Sequence, residues 1–123
     1  MSHDEDSRRP IRDFQRARRI LKVFYNRWRI FRRAKPLAVG VHTAIFVAFR
    51  RRVPMPIIKR AIHYHCSSDR YLKNILAGGS RYDLDGNPVG SITEPQRCDA
   101  INHLKERNEK GVHRMSRSGP PRR

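Results

Sequence analysis

Three groups of residues in this 123-residue chain have types and spacings that could do chemistry. The first is "HYHC", which offers His63, His65 and Cys66 as zinc ligands. Ligands this close together cannot close a tetrahedral site unaided, and Cys98 and His103 would have to be brought in from elsewhere. The second is "DLDGNPVGSITE", where Asp83, Asp85, Asn87 and Glu94 fall on ligand positions of a calcium loop. The sharp turn of such a loop needs glycine at its sixth position, and Pro88 stands there with its φ fixed negative. Neither group supports a metal site. No phosphate-cradling Walker loop, dinucleotide fingerprint, serine elbow or zinc-protease helix is present. The expectation is a protein that is not an enzyme and needs no cofactor.

The third group can bind anions. Ser67 and Ser68 open a helix, so free backbone N–H groups and the positive end of the helix dipole point to one spot. Arg70 and Tyr71 lie in the first turn, where a guanidinium and a phenol can meet phosphate or ribose. Gly78 and Gly79 turn the chain back, and a following hairpin can bring Arg81 to the same helix start. Lys59 and His63, four residues apart, share a face of the preceding helix. For any one of these residues taken alone, a plain N-cap with solvent-facing neighbours is the better explanation.

The charge states the ligand class. Twenty-eight Lys and Arg against eleven Asp and Glu give a net charge of +17 and an isoelectric point near 11.4. Solubility needs far less. A polyanion is the expected partner, with nucleic acid ahead of an anionic membrane. The longest apolar runs are too short to cross a membrane, and the polar, acidic opening "MSHDEDSRRP" is unlike a secretory leader. Cys66 and Cys98 without a CxxC motif read as free thiols in a reducing cytoplasm.

These residues need elements to position them. A mean hydropathy of −0.80 allows only a modest core. Residues 1–12 read as a flexible leader. Phe14, Ala17, Leu21, Phe24, Trp28 and Phe31 recur at spacings of three and four, which predicts a basic amphipathic helix over 13–33 with Asp13 as N-cap and Ser7, several residues earlier, as a rival cap. Between Arg8 and Lys35 there are twelve basic residues and one acid. Arg16, Arg19, Lys22, Arg33 and Lys35 are therefore candidate phosphate contacts.

Further helices are expected over 41–49, buried around much of its circumference, over 56–65, and from Ser67 or Ser68 through Ala77. Strands at 81–84 and 89–92 flank the turn "DGNP". "TEPQ" is a capping box for a last helix over 95–110. Residues 111–123 read as a basic disordered tail. The fold class is mainly α with a minor β-hairpin, one small domain over 34–110 preceded by the basic helix.

The stretch "SSDRYLKNILAGGSRYDLDGNPVGSIT", with "KPLAVGV" upstream, strongly resembles the ProQ/FinO family of bacterial RNA-binding proteins and RNA chaperones. The resemblance covers about residues 33–110 and leaves the basic first helix without a counterpart. It implies a post-transcriptional regulator that binds structured RNA, such as a terminator hairpin with a single-stranded 3′ tail in small RNAs and mRNAs, and promotes RNA–RNA pairing. By position, Tyr71 and Arg81 correspond to residues holding the 3′ end. Ser67, Ser68 and Arg70 match the helix-start segment, and Lys59 a basic position on the concave face. Relatives commonly carry Arg, Thr and an aromatic where this chain has His63, Cys66 and Asp69. The expected protein is thus a monomeric cytoplasmic RNA binder without membrane contact. The alternative is a DNA-binding accessory protein whose arginine-rich helix lies in a duplex groove; non-specific contact with duplex DNA fits either.

Overall fold

The computed structural model describes the backbone of residues 3–117 and the side chains of residues 12–109. Among the described residues, six helices and one hairpin follow in the order α1 (His3–Arg27), α2 (Arg29–Arg32), α3 (Val41–Ala48), α4 (Met55–Cys66), α5 (Asp69–Ala77), β1 (Ser80–Tyr82), β2 (Pro88–Ser91) and α6 (Glu94–Arg117). The expected fold class is the observed one. Among the described residues, no helix is long and apolar enough to cross a membrane.

The basic helix is part of the core. Ala17 and Phe24 on α1, together with Trp28, Ile30 and Phe31, join Ile57, Ile58 and Ala61 of α4 in one buried cluster, and the buried His65 ring of α4 lies 4.8 Å from Phe31. Phe24 is fully buried, with ring centroids 5.1 Å from Phe31, 5.6 Å from Trp28 and 5.9 Å from Phe49. Burying one such ring contributes about 1.5–3 kcal/mol.

The expected single helix over 13–33 is broken at Trp28, whose backbone is extended at φ −122°, ψ 125°. The apolar spacing continues across the break because Phe24, Trp28 and Phe31 all still face the core. The break leaves carbonyls of the last turn of α1 without helical partners. Arg32 compensates, donating from Nη1 to the carbonyls of Tyr25 and Asn26 at 2.9 and 3.1 Å.

At its other end α1 begins at His3 rather than Asp13, so the expected flexible leader is helical from His3 onward. Asp4, Glu5 and Asp6 give that end the acidic composition a helix N-terminus favours. Likewise α6 continues through Arg117, beyond the expected stop at Lys110, because no proline interrupts the chain until Pro120. Residues 118–123 of the expected tail lie outside the described residues.

Two helices stop without the glycine that usually permits it. After α2, Ala34 N–H bonds to Phe31 O and Lys35 N–H to Ile30 O, with Ala34 at φ 51°. After α3, Arg50 N–H bonds to Val47 O and Arg51 N–H to Phe46 O, with Arg50 at φ 56° and Arg51 at φ 61°. Both are Schellman endings, with alanine or arginine in the left-handed position. Contrary to expectation, α3 buries a narrow face: Val41 and Ile45 are buried, whereas Val47 is 54% exposed.

Local sequence determines the remaining boundaries. Ser68 caps α5, its Oγ accepting from Tyr71 N–H at 3.2 Å. Thr93 and Gln96 form the reciprocal capping box of α6, at 2.9 and 3.4 Å. The hairpin pairs Ser80 with Ser91 and Arg81 with Gly90, then shifts register before Tyr82 meets Pro88. Its strands start one residue earlier than expected and stop sooner, because Asp83 leaves the ladder. The carboxylate Oδ1 of Asp83 accepts from the N–H groups of Asp85 and Asn87 at 3.0 and 2.9 Å, and so closes the turn.

Candidate nucleic-acid interface

The segment linking α2 to α3 lies beside β1 in parallel register, with Tyr82 N–H donating to Pro36 O and Ala38 N–H to Tyr82 O. Leu37 sits between these bonds, and its own backbone groups turn toward side chains. Its N–H donates to Tyr71 Oη at 3.0 Å, and its carbonyl accepts from Arg81 Nη1 at 2.6 Å. Tyr71 and Arg81 are thereby brought together, though not as two free groups. Tyr71 is 5% exposed, with its hydroxyl committed to the backbone. Arg81 is half-buried, and its Nε is buried without a hydrogen-bond partner. A buried charged donor left unpaired is costly unless something else meets it.

Beside this junction opens a cleft of about 640 Å3 whose lining includes Arg33, Lys35, Arg70, Asn74, Gly79 and Tyr82. Asn74 secures one wall, its Nδ2 donating to the carbonyls of Arg33 and Ala34 at 3.3 and 2.8 Å. Lys35 lies over the Tyr82 ring at 4.6 Å. No lining residue is acidic, while three are cations drawn from two segments far apart in sequence. Gly78 and Gly79, at φ 79° and 105°, make the turn that the α5–β1 connection requires.

Ser67 and Ser68 serve the local structure. Ser68 Oγ donates to His65 O at 2.8 Å while capping α5. Arg107 of α6 reaches back to the same helix start, bonding Ser67 O and pairing with the Asp69 carboxylate. Asp69 is thus held by a cation at the site where it would otherwise repel a phosphate.

Behind α5 lies a neutral layer. His65 is 2% exposed, with Nδ1 hydrogen-bonded to Tyr25 Oη at 2.9 Å and Nε2 unpartnered. Burial, reinforced by the nearby Arg70, pushes its pKa down to about 4. Burial raises the Cys66 thiol to about 11 and the Tyr71 phenol to about 12. These groups stay uncharged at neutral pH. Cys66 and Cys98 are free thiols, the first half-buried and the second exposed. Among the described residues no three His, Cys, Asp or Glu converge to hold a metal ion.

The remaining candidates lie along two helices. Lys59 and His63 are exposed one turn apart on α4. On α1, Arg16 and Arg19 are exposed, whereas Lys22 lines a groove of about 250 Å3 with Phe14, Arg18, Leu21, Tyr25 and Tyr64. Composition does not single out Asn74 or Arg107, since neither belongs to a recognisable pattern.

Comparison with known proteins places this geometry in context. A family model described as the ProQ/FINO family matches residues 14–117, taking in the basic helix that the sequence resemblance left outside. Proteins named RNA chaperone ProQ from Aeromonas salmonicida and Shewanella oneidensis are 38% identical over 79 residues and 33% identical over 88. The alignments cover 63% and 70% of this chain, and 38% and 41% of those proteins, so the chain spans about two fifths of the length of the curated relatives it matches. A FinO-like RNA chaperone from Neisseria meningitidis has a similar fold, with a TM-score of 0.67 at 31% identity, covering 72% of this chain and 94% of that one. A ProQ homologue from Legionella pneumophila gives 0.51 at 25% identity, covering 60% and 64%.

Proposed function

Because the chain belongs to the ProQ/FinO family, we propose that it binds structured RNA, holding the 3′ end of a hairpin in the cleft beside α5. The observation that carries this reading is the acid-free cleft lined by Arg33, Lys35 and Arg70, next to the unsatisfied Arg81 Nε. Arg presents a planar fork of donors suited to phosphate oxygens. An oxygen of the terminal nucleotide gives the buried Arg81 donor the acceptor it lacks. Tyr71 acts as a positioning residue, holding Leu37 and hence the cleft wall at Pro36. Lys59 and His63 on α4, and Arg16, Arg19 and Lys22 on α1, supply contacts to the sugar–phosphate backbone, which set affinity without reading sequence.

The function follows from binding alone. A cytoplasmic protein that neutralises phosphates reduces the repulsion between two RNA strands and so assists their pairing, while an occupied 3′ end is shielded from exonucleases. RNA is favoured over duplex DNA because A-form helices are recognised by shape, backbone and 2′-hydroxyls, and because the matched relatives are named RNA chaperones. A competition assay separates the classes: a hairpin with a free 3′ tail, the same hairpin with its 3′ end blocked, duplex DNA, and anionic vesicles. The free-tailed hairpin should win. Equal competition by duplex DNA would overturn the reading.

A further inference from the structure

The turn between α3 and α4 carries Arg50, Arg51 and Arg52, all exposed. Arg50 and Arg51 are consecutive left-handed residues, at φ 56° and 61°. In L-residues this conformation crowds Cβ against the backbone, so glycine or asparagine normally occupies it. Arginine at both positions costs stability that a neutral turn would recover, which points to a use for the guanidinium groups. No Asp or Glu occurs in the sequence between Asp13 and Asp69, so no acid close in the chain offsets them.

The surroundings extend the patch. Arg27 of α1 stacks over Trp28 and Phe49, with its guanidinium 5.0 and 5.3 Å from the ring centroids, and donates to Ala48 O at 3.5 Å. Arg51 lies 5.6 Å over Phe46. Cationic side chains resting on aromatic faces are ordered in advance of binding, which lowers the entropy cost of a contact.

Its location defines the partner. The turn precedes the N-terminal end of α4, while the 3′-end cleft runs along α5 and comes nearest in the chain to the opposite end of α4 at Arg70, four residues beyond Cys66. The twelve residues of α4 that lie between the turn and Arg70 span about 18 Å at 1.5 Å per residue. The exposed Lys59, Arg60 and His63 lie between. At an axial rise of roughly 3.4 Å per nucleotide in a double helix, that length corresponds to about five or six base pairs of stem.

We propose that Arg50, Arg51 and Arg52 form a second phosphate-binding edge that grips the RNA stem about one α4 length from the 3′-end cleft. The proposal rests on the RNA-binding reading above and adds a minimum stem length. Stems too short to reach the turn bind through the cleft alone; longer ones engage both places.

The test uses the full chain and two hairpins with the same free 3′ tail, one with a four-base-pair stem and one with twelve. Wild type should prefer the longer stem. Replacing Arg50→Asn, Arg51→Asn and Arg52→Gln should remove most of that preference, leave short-stem affinity within about twofold, and flatten the salt dependence on the long stem by about 2–3 in slope. Arg51→Gly alone should raise Tm by a few degrees while weakening long-stem binding. Retained stem preference in the triple variant, or an equal loss on both stems, overturns the second edge but leaves the cleft intact. Wild type that binds neither hairpin overturns both readings. A fall in Tm for Arg51→Gly rejects the argument from strain, and with it the reason for assigning these arginines a function.

Discussion

Tyr71 and Arg81 meet at a single residue, the first accepting the N–H of Leu37 at 3.0 Å and the second donating to its carbonyl at 2.6 Å. Three segments distant in the chain are tied there, and the cleft wall is set by the tie. Tyr71→Phe should therefore act on the fold as well as on binding. It leaves the Leu37 N–H unsatisfied, at a cost of about 1–3 kcal/mol, seen as a lower urea midpoint with unchanged slope. Preference for a free 3′ end should weaken alongside. A variant of wild-type stability would mean that water or another group replaces the hydroxyl.

Arg81→Ala removes the carbonyl contact and the unpaired Nε together. Affinity for a free-ended hairpin should fall by roughly tenfold or more, the scale of a charge-assisted hydrogen bond. Affinity for the end-blocked hairpin should change little. Equal losses on both hairpins would take Arg81 out of end recognition.

The charges of α1 should govern salt sensitivity instead. Arg16 and Arg19 are exposed, and Lys22 lies at a groove edge, so Gln at all three leaves Ala17 and Phe24 in place. The slope of log affinity against log salt should flatten by about 2–3 if all three contact phosphates, with end preference retained. An unchanged slope would show that this face of α1 meets something other than RNA.

Acid should destabilise the protein through His65. Its folded pKa of about 4 lies below the ordinary 6.5, so the unfolded chain takes up the proton first. The stabilisation is complete above pH 6.5 and is lost as pH falls toward 4. It amounts to about 3 kcal/mol. His65→Phe should flatten the stability profile between pH 7 and 4, measured by urea unfolding; an unaltered profile would assign the acid sensitivity to other groups.

The two thiols should differ in reactivity. Cys66 is half-buried with its pKa raised to about 11, whereas Cys98 is exposed. Since the thiolate is the nucleophile, iodoacetamide at pH 7.5 should label Cys98 well before Cys66. Mass spectrometry of the peptides reads this directly, and comparable rates would contradict the burial of the Cys66 environment.

The starts of α5 and α6 were legible because side chains encode them: Ser68 and the Thr93–Gln96 pair cap where their types predict, whereas α1 runs past its expected cap Asp13 to His3. Helix ends were less so. The stops at Ala34 and Arg50 use left-handed residues without glycine, and the break at Trp28 preserves the apolar spacing that would ordinarily indicate continuity. Charge marked Arg33, Lys35 and Arg70 individually, but their convergence on one cleft was not legible, because Arg33 and Lys35 read as part of the basic first helix and Arg70 as part of a separate helix start. Nor was the use of Tyr71, since a hydroxyl satisfying a backbone N–H leaves no mark in the pattern of residue types. Arg107 was hidden for a similar reason, its partner Asp69 lying 38 positions away.

The acid-free stretch from Phe14 to Ser68 contributes the C-terminal half of α1 and all of α4, two basic segments packed on each other. Without RNA their like charges repel, and the compact state is stable in spite of that repulsion. Added salt screens it, so the free protein should melt at higher temperature as ionic strength rises, while its grip on RNA loosens over the same range. RNA bound as proposed should do what salt does, and more, by stabilising the folded state through mass action. On the proposed reading the fold is conditional: firmest when a polyanion such as RNA is bound, and most exposed to unfolding and proteolysis when the polyanion is scarce and ionic strength is low.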